Sequence, residues 1–489
     1  MLRIMRTKYI SALVGAFALG ACTYDFPVQD PPTTGQADFT KLVAVGNSLT
    51  AGFMDGALYT AGQNSSYPAI IARQAAILGG GTFTQPAVNS TNGCFNAAGG
   101  CTQGRLVLRN PLSPAPTPTA GDNGAALARY TGPAINNWGV PGVTLQTALI
   151  PQTGGPASPA NPAFNPYYAR IGSNPGTSTL IGDAAASLAN GGSFFTFWLG
   201  NNDVLGYATG GAANPAILTS QADFQTRFNA ALNAMLNAKS DAEGAVANIP
   251  NVTSIPFFST VPFNPVPVTS TAQRDQLNAG YAAYNGGLDQ AVAAGLLSAA
   301  ERDRRRISFA VGANRVVILD ETLTALPGPF ASLPLMRQAT AEDRIVLPAA
   351  SFIGTLVGGN PAAVNGVTVP LGDQWVLLPS EQTEIQNAIN GFNNTIKAAV
   401  DAQAARLVLV DMNKALADVR AGLVSINGSS FTASITPPFG AFSLDGVHPN
   451  QRGQAFIANQ FIQAINAKWG AKIPLCNPND FVGNAFPTP

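Results

Sequence analysis

Histidine is almost absent from this sequence, since His448 is the single histidine among 489 residues. A lone histidine excludes zinc sites built on two histidines and acid–base schemes that need a pair of imidazoles. Charged residues are also scarce, at 11% of the chain against roughly 25% in soluble domains. The 26 basic residues balance the 26 acidic ones, so the chain lacks the basic excess typical of nucleic-acid binders. We therefore expect no metal site built on two histidines and no nucleic-acid partner.

Two common sequence patterns are missing as well. No G-x-S-x-G motif occurs in the chain, so the main signature of the α/β-hydrolase fold is lacking. No stretch after the N-terminal segment has the length of a transmembrane helix, about 20 apolar residues. What is abundant is glycine, with 50 residues, proline, with 37, and hydrophobic residues, at 46%. This composition indicates a sizeable core surrounded by long ordered loops.

The N-terminus has the pattern of an export signal. Arg3, Arg6 and Lys8 precede an apolar stretch over residues 9–20 that is too short to span a bilayer. The stretch ends in Leu-Gly-Ala-Cys22, which resembles a bacterial lipobox. That resemblance implies a signal peptide over residues 1–21, lipidation of Cys22 and a tether over residues 22–38. An ordinary signal peptide with an incidental cysteine is the alternative.

The resemblance also implies a location. The lipid would anchor an exported protein to the cell envelope, and Thr23 rather than Asp after the cysteine favours the outer membrane of a diderm bacterium.

Cys94 and Cys101 lie close together in a Gly/Asn-rich loop, and export makes a disulfide between them plausible. The sequence leaves the state of Cys476 open.

Strand and helix patterns alternate along much of the chain. Short apolar runs predict buried strands at residues 41–46, 193–199, 244–249 and 407–410. Amphipathic patterns predict helices at residues 67–77, 220–239, 384–404 and 451–469. This alternation predicts an α/β fold, with a parallel sheet that has helices on both faces.

Two stretches fit the alternation poorly. Residues 78–135 are rich in Gly, Asn, Thr and Pro and predict a long surface excursion. Residues 256–380 predict an insertion or cap subdomain between two parts of the main domain, residues 39–255 and 381–489. The apolar residues of the insertion fit either a lid over a lipid site or the core of the insertion itself; they are Phe330, Leu333, Leu335, Phe352 and Leu356.

A candidate nucleophile follows the first predicted strand. Ser48 lies in Gly-Asn-Ser-Leu-Thr-Ala-Gly, residues 46–52. A serine between the carboxyl end of a parallel strand and a helix lies in the crevice where such sheets bind ligands. The start of the helix supplies N–H donors for developing negative charge. A helix-capping serine is the alternative.

A candidate base lies near the C-terminus, in Asp-Gly-Val-His-Pro-Asn, residues 445–450. Asp445 precedes His448 by three residues, in a loop constrained by Gly446 and Pro449. This spacing lets the carboxylate hold one ring nitrogen and leaves the other free, as the base of a hydroxyl nucleophile requires. A purely structural histidine is the alternative.

Together these segments resemble SGNH (GDSL-type) hydrolases. Residues 46–52 resemble the first block of that family and residues 445–450 the last. Asn-Trp-Gly-Val-Pro-Gly, residues 137–142, and Gly-Asn-Asn-Asp, residues 200–203, resemble the two middle blocks, in the right order. The chain departs from the family pattern at Asn47, where Asp is usual, and at Pro141, where Ser is usual.

The resemblance implies a fold and a reaction. The fold is a flavodoxin-like three-layer α/β/α sandwich with a parallel sheet and a large insertion. The reaction is hydrolysis of a carboxylic ester by Ser48, Asp445 and His448, without metal or cofactor. The family's oxyanion hole maps onto the Ser48 N–H, the Gly142 N–H and the Asn202 side chain.

Two other functions stay open. A carbohydrate acetyl esterase is an alternative to an esterase or lipase that acts on acyl or lipid esters. A surface lipoprotein that binds glycans or partners on the same scaffold, without catalysis, is the alternative outside the enzymes. Asn47 and the large insertion favour this last interpretation, whereas the joint presence of Ser48, Asn202, Asp445 and His448 disfavours it.

Overall fold

The computed structural model describes residues 31–95, 100–110, 115–426 and 428–486. The predicted signal peptide, Cys22 and the first part of the predicted tether lie outside these residues.

The described residues form strands and helices that are numbered along the chain. The strands are β1 (Leu42–Gly46), β2 (Gln103–Arg109), β3 (Ala115–Ala120), β4 (Asn137–Gly139), β5 (Phe194–Trp198), β6 (Glu243–Ala247), β7 (Val266–Val268), β8 (Gly312–Asn314), β9 (Val317–Leu319), β10 (Met336–Gln338), β11 (Arg344–Ile345), β12 (Val376–Leu377), β13 (Leu407–Val410), β14 (Ser425–Ile426) and β15 (Ser429–Ser430). The helices are α1 (Ser48–Ala51), α2 (Thr60–Asn64), α3 (Tyr67–Ala76), α4 (Leu145–Ala148), α5 (Pro166–Ala169), α6 (Leu180–Ala189), α7 (Asn202–Thr209), α8 (Gln221–Ala238), α9 (Thr271–Ala293), α10 (Ala299–Arg305), α11 (Ala349–Phe352), α12 (Pro379–Asp401), α13 (Met412–Arg420) and α14 (Gln451–Trp469).

The centre of the fold is a five-stranded sheet in the order β13-β6-β5-β1-β4. Every neighbouring pair in it is parallel. Helices α6, α8 and α12 pack on one face, and α3, α13 and α14 pack on the other. The predicted α/β architecture with a parallel sheet between helices is therefore confirmed.

The central strands are buried on both faces, because their side chains alternate between two apolar layers. In β5, Phe195 and Phe197 join the core under α8, whereas Phe194 and Trp198 join the core under α14. Both layers hold bulky aromatic residues, so the strand is apolar at every position except Thr196 rather than alternating. Because β1, β5 and β6 are parallel, their carboxyl ends reach the same edge of the sheet, which is where the candidate site lies.

The segment between β6 and β13 contributes no strand to the central sheet. It forms three small antiparallel pairs, β7–β8, β9–β10 and β11–β12. Apolar residues of these pairs, including Ile318 and Ile345, belong to the same buried core as α8 and α12. The division into a main domain and an insertion over residues 256–380 stays a prediction.

Two local features of the structure were not evident in the sequence. The stretch 78–135 contains the β2–β3 hairpin, which its Gly- and Pro-rich composition concealed. The basic run at residues 302–306 has the pattern of a solvated helix end, but Arg305 is fully buried and its guanidinium donates to the carbonyl oxygens of Thr324 and Pro334. A buried guanidinium needs such partners, which sequence spacing does not reveal. None of the described helices is both long enough and apolar enough to cross a bilayer.

Candidate active site

Ser48 lies at the junction of β1 and α1, and its position depends on tight backbone packing. A Cβ on Gly46 would lie 1.9 Å from Thr50 Oγ1, so the turn leaves no room for a side chain there. Asn47 caps α1, since its Oδ1 accepts the Leu49 N–H at 3.0 Å. Ser48 itself is 6% exposed. The turn thus holds the Ser48 hydroxyl at the carboxyl edge of the sheet.

The structure brings His448 and Asp445 to this hydroxyl. His448 Nε2 lies 2.9 Å from Ser48 Oγ, and His448 Nδ1 lies 2.9 Å from Asp445 Oδ2. A carboxylate only accepts hydrogen bonds, so Nδ1 carries the proton in this arrangement and Nε2 is left to accept from the serine hydroxyl. The side chains of His448 and Asp445 are 14% and 13% exposed. The set can therefore move a proton from Ser48 Oγ to the imidazole.

Asp445 is held as a carboxylate. Burial alone would raise its pKa, but the His448 charge and hydrogen bonds from the His448 ring and from the His448 and Val447 N–H groups outweigh burial and lower the pKa to about 2. The carboxylate consequently stays charged at neutral pH. A fixed negative charge beside Nδ1 favours the imidazolium that forms when Nε2 takes up a proton.

Gly142 and Asn202 are placed beside this group. Both border one cleft together with Val447, and Asn202 also borders the cavity that contains Ser48 and His448. Gly142 has a φ of +77°, which favours glycine. Among the described residues, neither the Ser48 N–H nor the Gly142 N–H has a backbone acceptor. The Asn202 amide donates one proton to the Val143 carbonyl at 2.8 Å, and its second proton is left for another acceptor.

Asp203, the last residue of the second middle block (residues 200–203), has a structural role. Asp203 is fully buried, and its carboxylate accepts the Leu145 N–H and the Thr219 hydroxyl, each at 3.0 Å. Burial raises the pKa of Asp203 to about 6. Asn202 bonds to Val143 and Asp203 bonds to Leu145, so residues 200–203 are joined at two points to the segment that directly follows residues 137–142.

A second carboxylate, Asp55, supports the site and was missed in the sequence. Asp55 Oδ1 accepts the Leu444 N–H at 3.0 Å, Oδ2 accepts the Tyr59 hydroxyl at 2.8 Å, and the Asp55 N–H donates to Ser443 Oγ at 2.9 Å. The next residue, Gly56, donates its N–H to Asp445 Oδ2 at 2.9 Å. The loop after α1 is thus hydrogen-bonded to the loop that carries Asp445 and His448.

The chemical setting of Asp55 is unusual for a carboxylate. It is 7% exposed, and burial raises its pKa to about 6, although the Leu444 N–H lowers it. Its φ of +54° is in the left-handed region, which Asp tolerates better than most residues. In the sequence, Asp-Gly is an ordinary turn signal, so its link to residues nearly 400 positions away could not be predicted there.

The predicted insertion also contacts the Asp445–His448 loop. The Phe257 N–H donates to the Gly446 carbonyl at 2.8 Å, and the Leu347 N–H donates to the Phe257 carbonyl at 2.8 Å. A Cβ on Gly446, whose φ is +72°, would lie 2.8 Å from the Leu347 side chain. The loop after α1 and the segment after β6 therefore hold this loop between them.

The three described cysteines form one disulfide and one free thiol. Cys94 and Cys101 are joined by a disulfide with an S–S distance of 2.01 Å. The neighbouring Phe95 ring packs against Gly56, where a Cβ would lie 2.4 Å from it. Cys476 is a free thiol, and burial raises its pKa to about 11.

Three carboxylates form a separate acidic cluster, since oxygens of Glu321, Asp373 and Glu381 all lie within 4.8 Å of one another. Glu381 is 8% exposed, and one of its oxygens accepts the Leu378 N–H at 2.7 Å, which caps α12. Burial, followed by the charges of Glu321 and Asp373, raises the pKa of Glu381 to about 8 against the effect of that hydrogen bond. A proton on Glu381 lowers the repulsion among the three carboxylates.

Neither a scan against models of protein families nor a search of curated proteins finds a match to this chain.

We expect Asp55→Asn to slow the reaction of Ser48 with a fluorophosphonate probe by up to about 10²-fold, because a small displacement of a reacting group has effects of that size. An amide cannot accept hydrogen bonds at both of its ends, so either Leu444 or Tyr59 loses its acceptor. The measurement is the rate constant for covalent labelling at Ser48. Asp183→Asn is the matched control, since the side-chain partners of that buried carboxylate all lie within residues 168–178. Equal labelling rates in the Asp55 variant and the wild type would show that Asp55 does not position the site.

We expect Glu381→Gln to stabilise the protein more at alkaline than at acidic pH. The folded state keeps the Glu381 proton up to about pH 8, whereas the unfolded chain releases it near the ordinary value of 4.5. The wild type therefore loses stability as pH rises between these values, and a neutral glutamine does not. The measurement is the difference in Tm between variant and wild type at about pH 5 and about pH 8. A constant difference, or a calcium-induced rise in wild-type Tm that the variant lacks, would contradict a neutral Glu381.

Proposed function

We propose that this protein is a serine esterase that hydrolyses carboxylic esters through an acyl-enzyme on Ser48. One observation carries the proposal: the only imidazole of the chain lies 2.9 Å from the Ser48 hydroxyl and 2.9 Å from the Asp445 carboxylate. Nucleophile, base and orienting carboxylate in this order are what a hydroxyl needs to attack an ester. A purely structural histidine would not require a serine hydroxyl on one nitrogen and a carboxylate on the other.

In the first half of the reaction, Ser48 Oγ attacks the ester carbonyl carbon while His448 Nε2 takes the hydroxyl proton. The Asp445 carboxylate stabilises the imidazolium, because the low pKa of Asp445 keeps the carboxylate charged. When the tetrahedral intermediate collapses, the bond to the alcohol oxygen breaks and His448 returns its proton to that oxygen. In the second half, water takes the place of the alcohol and releases the acid.

The oxyanion of the intermediate needs donors on the side away from His448. We assign this role to the Ser48 N–H, the Gly142 N–H and the second amide proton of Asn202. The support is that the two backbone N–H groups have no backbone acceptor among the described residues, and that Asn202 borders the cavity containing Ser48. Its bond to Val143 fixes the orientation of the Asn202 amide.

We propose further that the chain is an SGNH-type hydrolase with a flavodoxin-like sheet. The five strands of the central sheet follow one another along the chain as β1, β4, β5, β6 and β13. Counted one to five in that sequence, they have the order 2-1-3-4-5 across the sheet, which is the flavodoxin-like order. The four sequence blocks meet at one edge of this sheet. Asn47, which stands where the family has Asp, retains the helix-capping bond to Leu49, so this departure leaves the start of α1 capped.

For the location we propose an exported protein that is anchored to the cell envelope, in the outer membrane, through lipidated Cys22. The Cys94–Cys101 disulfide supports export, because disulfides persist mainly in oxidising compartments. The partners in this proposal are an ester substrate and the membrane that holds the lipid.

We expect Ser48→Ala and His448→Ala each to abolish hydrolysis of p-nitrophenyl esters, and Asn202→Ala to lower kcat by about 10²–10³-fold, which is the usual cost of one oxyanion donor. The measurement is hydrolysis by purified variants with unchanged circular dichroism. Ser66→Ala, a buried serine at the start of α3, is the control and should retain activity. Activity in Ser48→Ala would refute the nucleophile, and an inactive, unlabelled wild type would favour the non-catalytic binding function.

A further inference from the structure

A cavity of about 100 Å³ begins at Ser48 and His448 and extends beneath α13 and α14. Protein interiors are close-packed, and voids larger than a water molecule are few. A void that opens onto the candidate nucleophile is therefore a candidate for the space that one part of the substrate fills.

The polar residues of this cavity are gathered at one end. They are Asn47, Ser48, Asn201, Asn202 and His448, and every one of them belongs to a block that forms the site. The Asn47 amide nitrogen and both amide atoms of Asn201 are buried and have no partner among the described residues. Buried polar groups without partners are rare, and here they border the end of the cavity where the ester group would lie.

The rest of the cavity wall is apolar. On α13, the wall consists of Met412, Leu416 and Val419, whose spacing places them on one face of the helix. On α14, Phe456 and Ile457 form the opposite wall. The remaining apolar wall residues come mainly from the loops after β6 and before α14, and include Val252, Ile255, Phe431, Ala441 and Phe442.

A second cleft lies on the other side of the site and is open to solvent. Gly142, Gly206 and Ile217 on its border are exposed. Its wall is mixed, since Thr144 and Thr209 stand beside Phe257. Asn202, Leu205 and Val447 border both spaces, so the two spaces meet at the oxyanion side of Ser48.

We propose that the apolar cavity is the acyl pocket and the more open, mixed cleft is the alcohol side, so that the substrate is an ester of an aliphatic acid longer than acetate. This inference rests on the proposed esterase function. The acyl group stays bound to Ser48 until water arrives, and an apolar wall suits an aliphatic group that stays. The alcohol has to leave and water has to replace it, and an open cleft suits the part that leaves.

The test is kcat/KM on p-nitrophenyl acetate, butyrate, hexanoate and octanoate with purified full-length protein. Each methylene that enters the apolar pocket should raise kcat/KM by up to about fourfold until the pocket is full. We therefore expect butyrate and hexanoate to exceed acetate. If acetate is the preferred substrate and activity still depends on Ser48, the acyl-pocket proposal is wrong and the esterase proposal still holds. Loss of all Ser48-dependent activity would instead refute the esterase proposal itself.

Two variants of α13 locate the pocket. Leu416→Trp fills the cavity and should lower the ratio of kcat/KM on hexanoate to kcat/KM on acetate at least tenfold. Ala417→Trp places the same ring on the exposed face of the same helix and should leave the chain-length profile unchanged. Should Leu416→Trp fail to fold, Leu416→Ala is the second variant, since it enlarges the cavity and should move the optimum to a longer acyl chain.

One variant of the open cleft separates the acyl side from the alcohol side. Ile217 is 49% exposed, so Ile217→Trp should fold. It should alter the ratio of rates on acetate esters of a small and a bulky alcohol, ethyl and 1-naphthyl acetate, without altering the acyl-chain profile. If Ile217→Trp changes the acyl profile and Leu416→Trp changes the alcohol ratio, the assignment is reversed and the proposal is wrong.

Discussion

The contact between His448 Nε2 and Ser48 Oγ is the interaction on which the rest of the site depends. It joins residues 400 positions apart, so it exists only because β1 and the loop before α14 end at the same edge of the sheet. No local sequence preference can create such a contact. It is maintained by the packing of α14 against α3 and the sheet, and by the hydrogen bonds that fix the loop carrying the histidine.

That loop is held from two sides. Asp55 and Gly56 bond to it from the segment after α1, and Phe257 bonds to it from the segment after β6. Asp445 accepts hydrogen bonds from the imidazole and from Gly56 on the same oxygen. A reacting group fixed by its neighbours requires little rearrangement when charge develops, which is how preorganised sites stabilise transition states. The segment after β6 and the loop after α1 thus contribute to the site by holding this loop in position.

Part of this organisation could be predicted from the sequence. The apolar runs, such as residues 193–199, predicted the parallel sheet. The four sequence blocks predicted Ser48, Gly142, Asn202 and His448 as site residues, and the structure brings these residues to one edge of the sheet. Asp55 and the cavity wall could not be predicted, because Asp-Gly is typical of a turn and the wall gathers residues from several separate segments. The apolar residues of the predicted insertion that could have formed a lid show the same limit of prediction from sequence. None of them borders the cavity, whose wall includes residues of α13 and α14 instead.

The most direct test of the central contact uses the fact that His448 is the only imidazole in the chain. Nitrogen-15 labelling of histidine therefore gives the NMR signals of one ring, without assignment. We expect a proton on Nδ1 with a strongly downfield signal that is lost in Asp445→Ala, and an Nε2 signal that shifts in Ser48→Ala. A ring protonated at Nε2, or signals that neither substitution changes, would show that the imidazole does not connect the carboxylate to the serine.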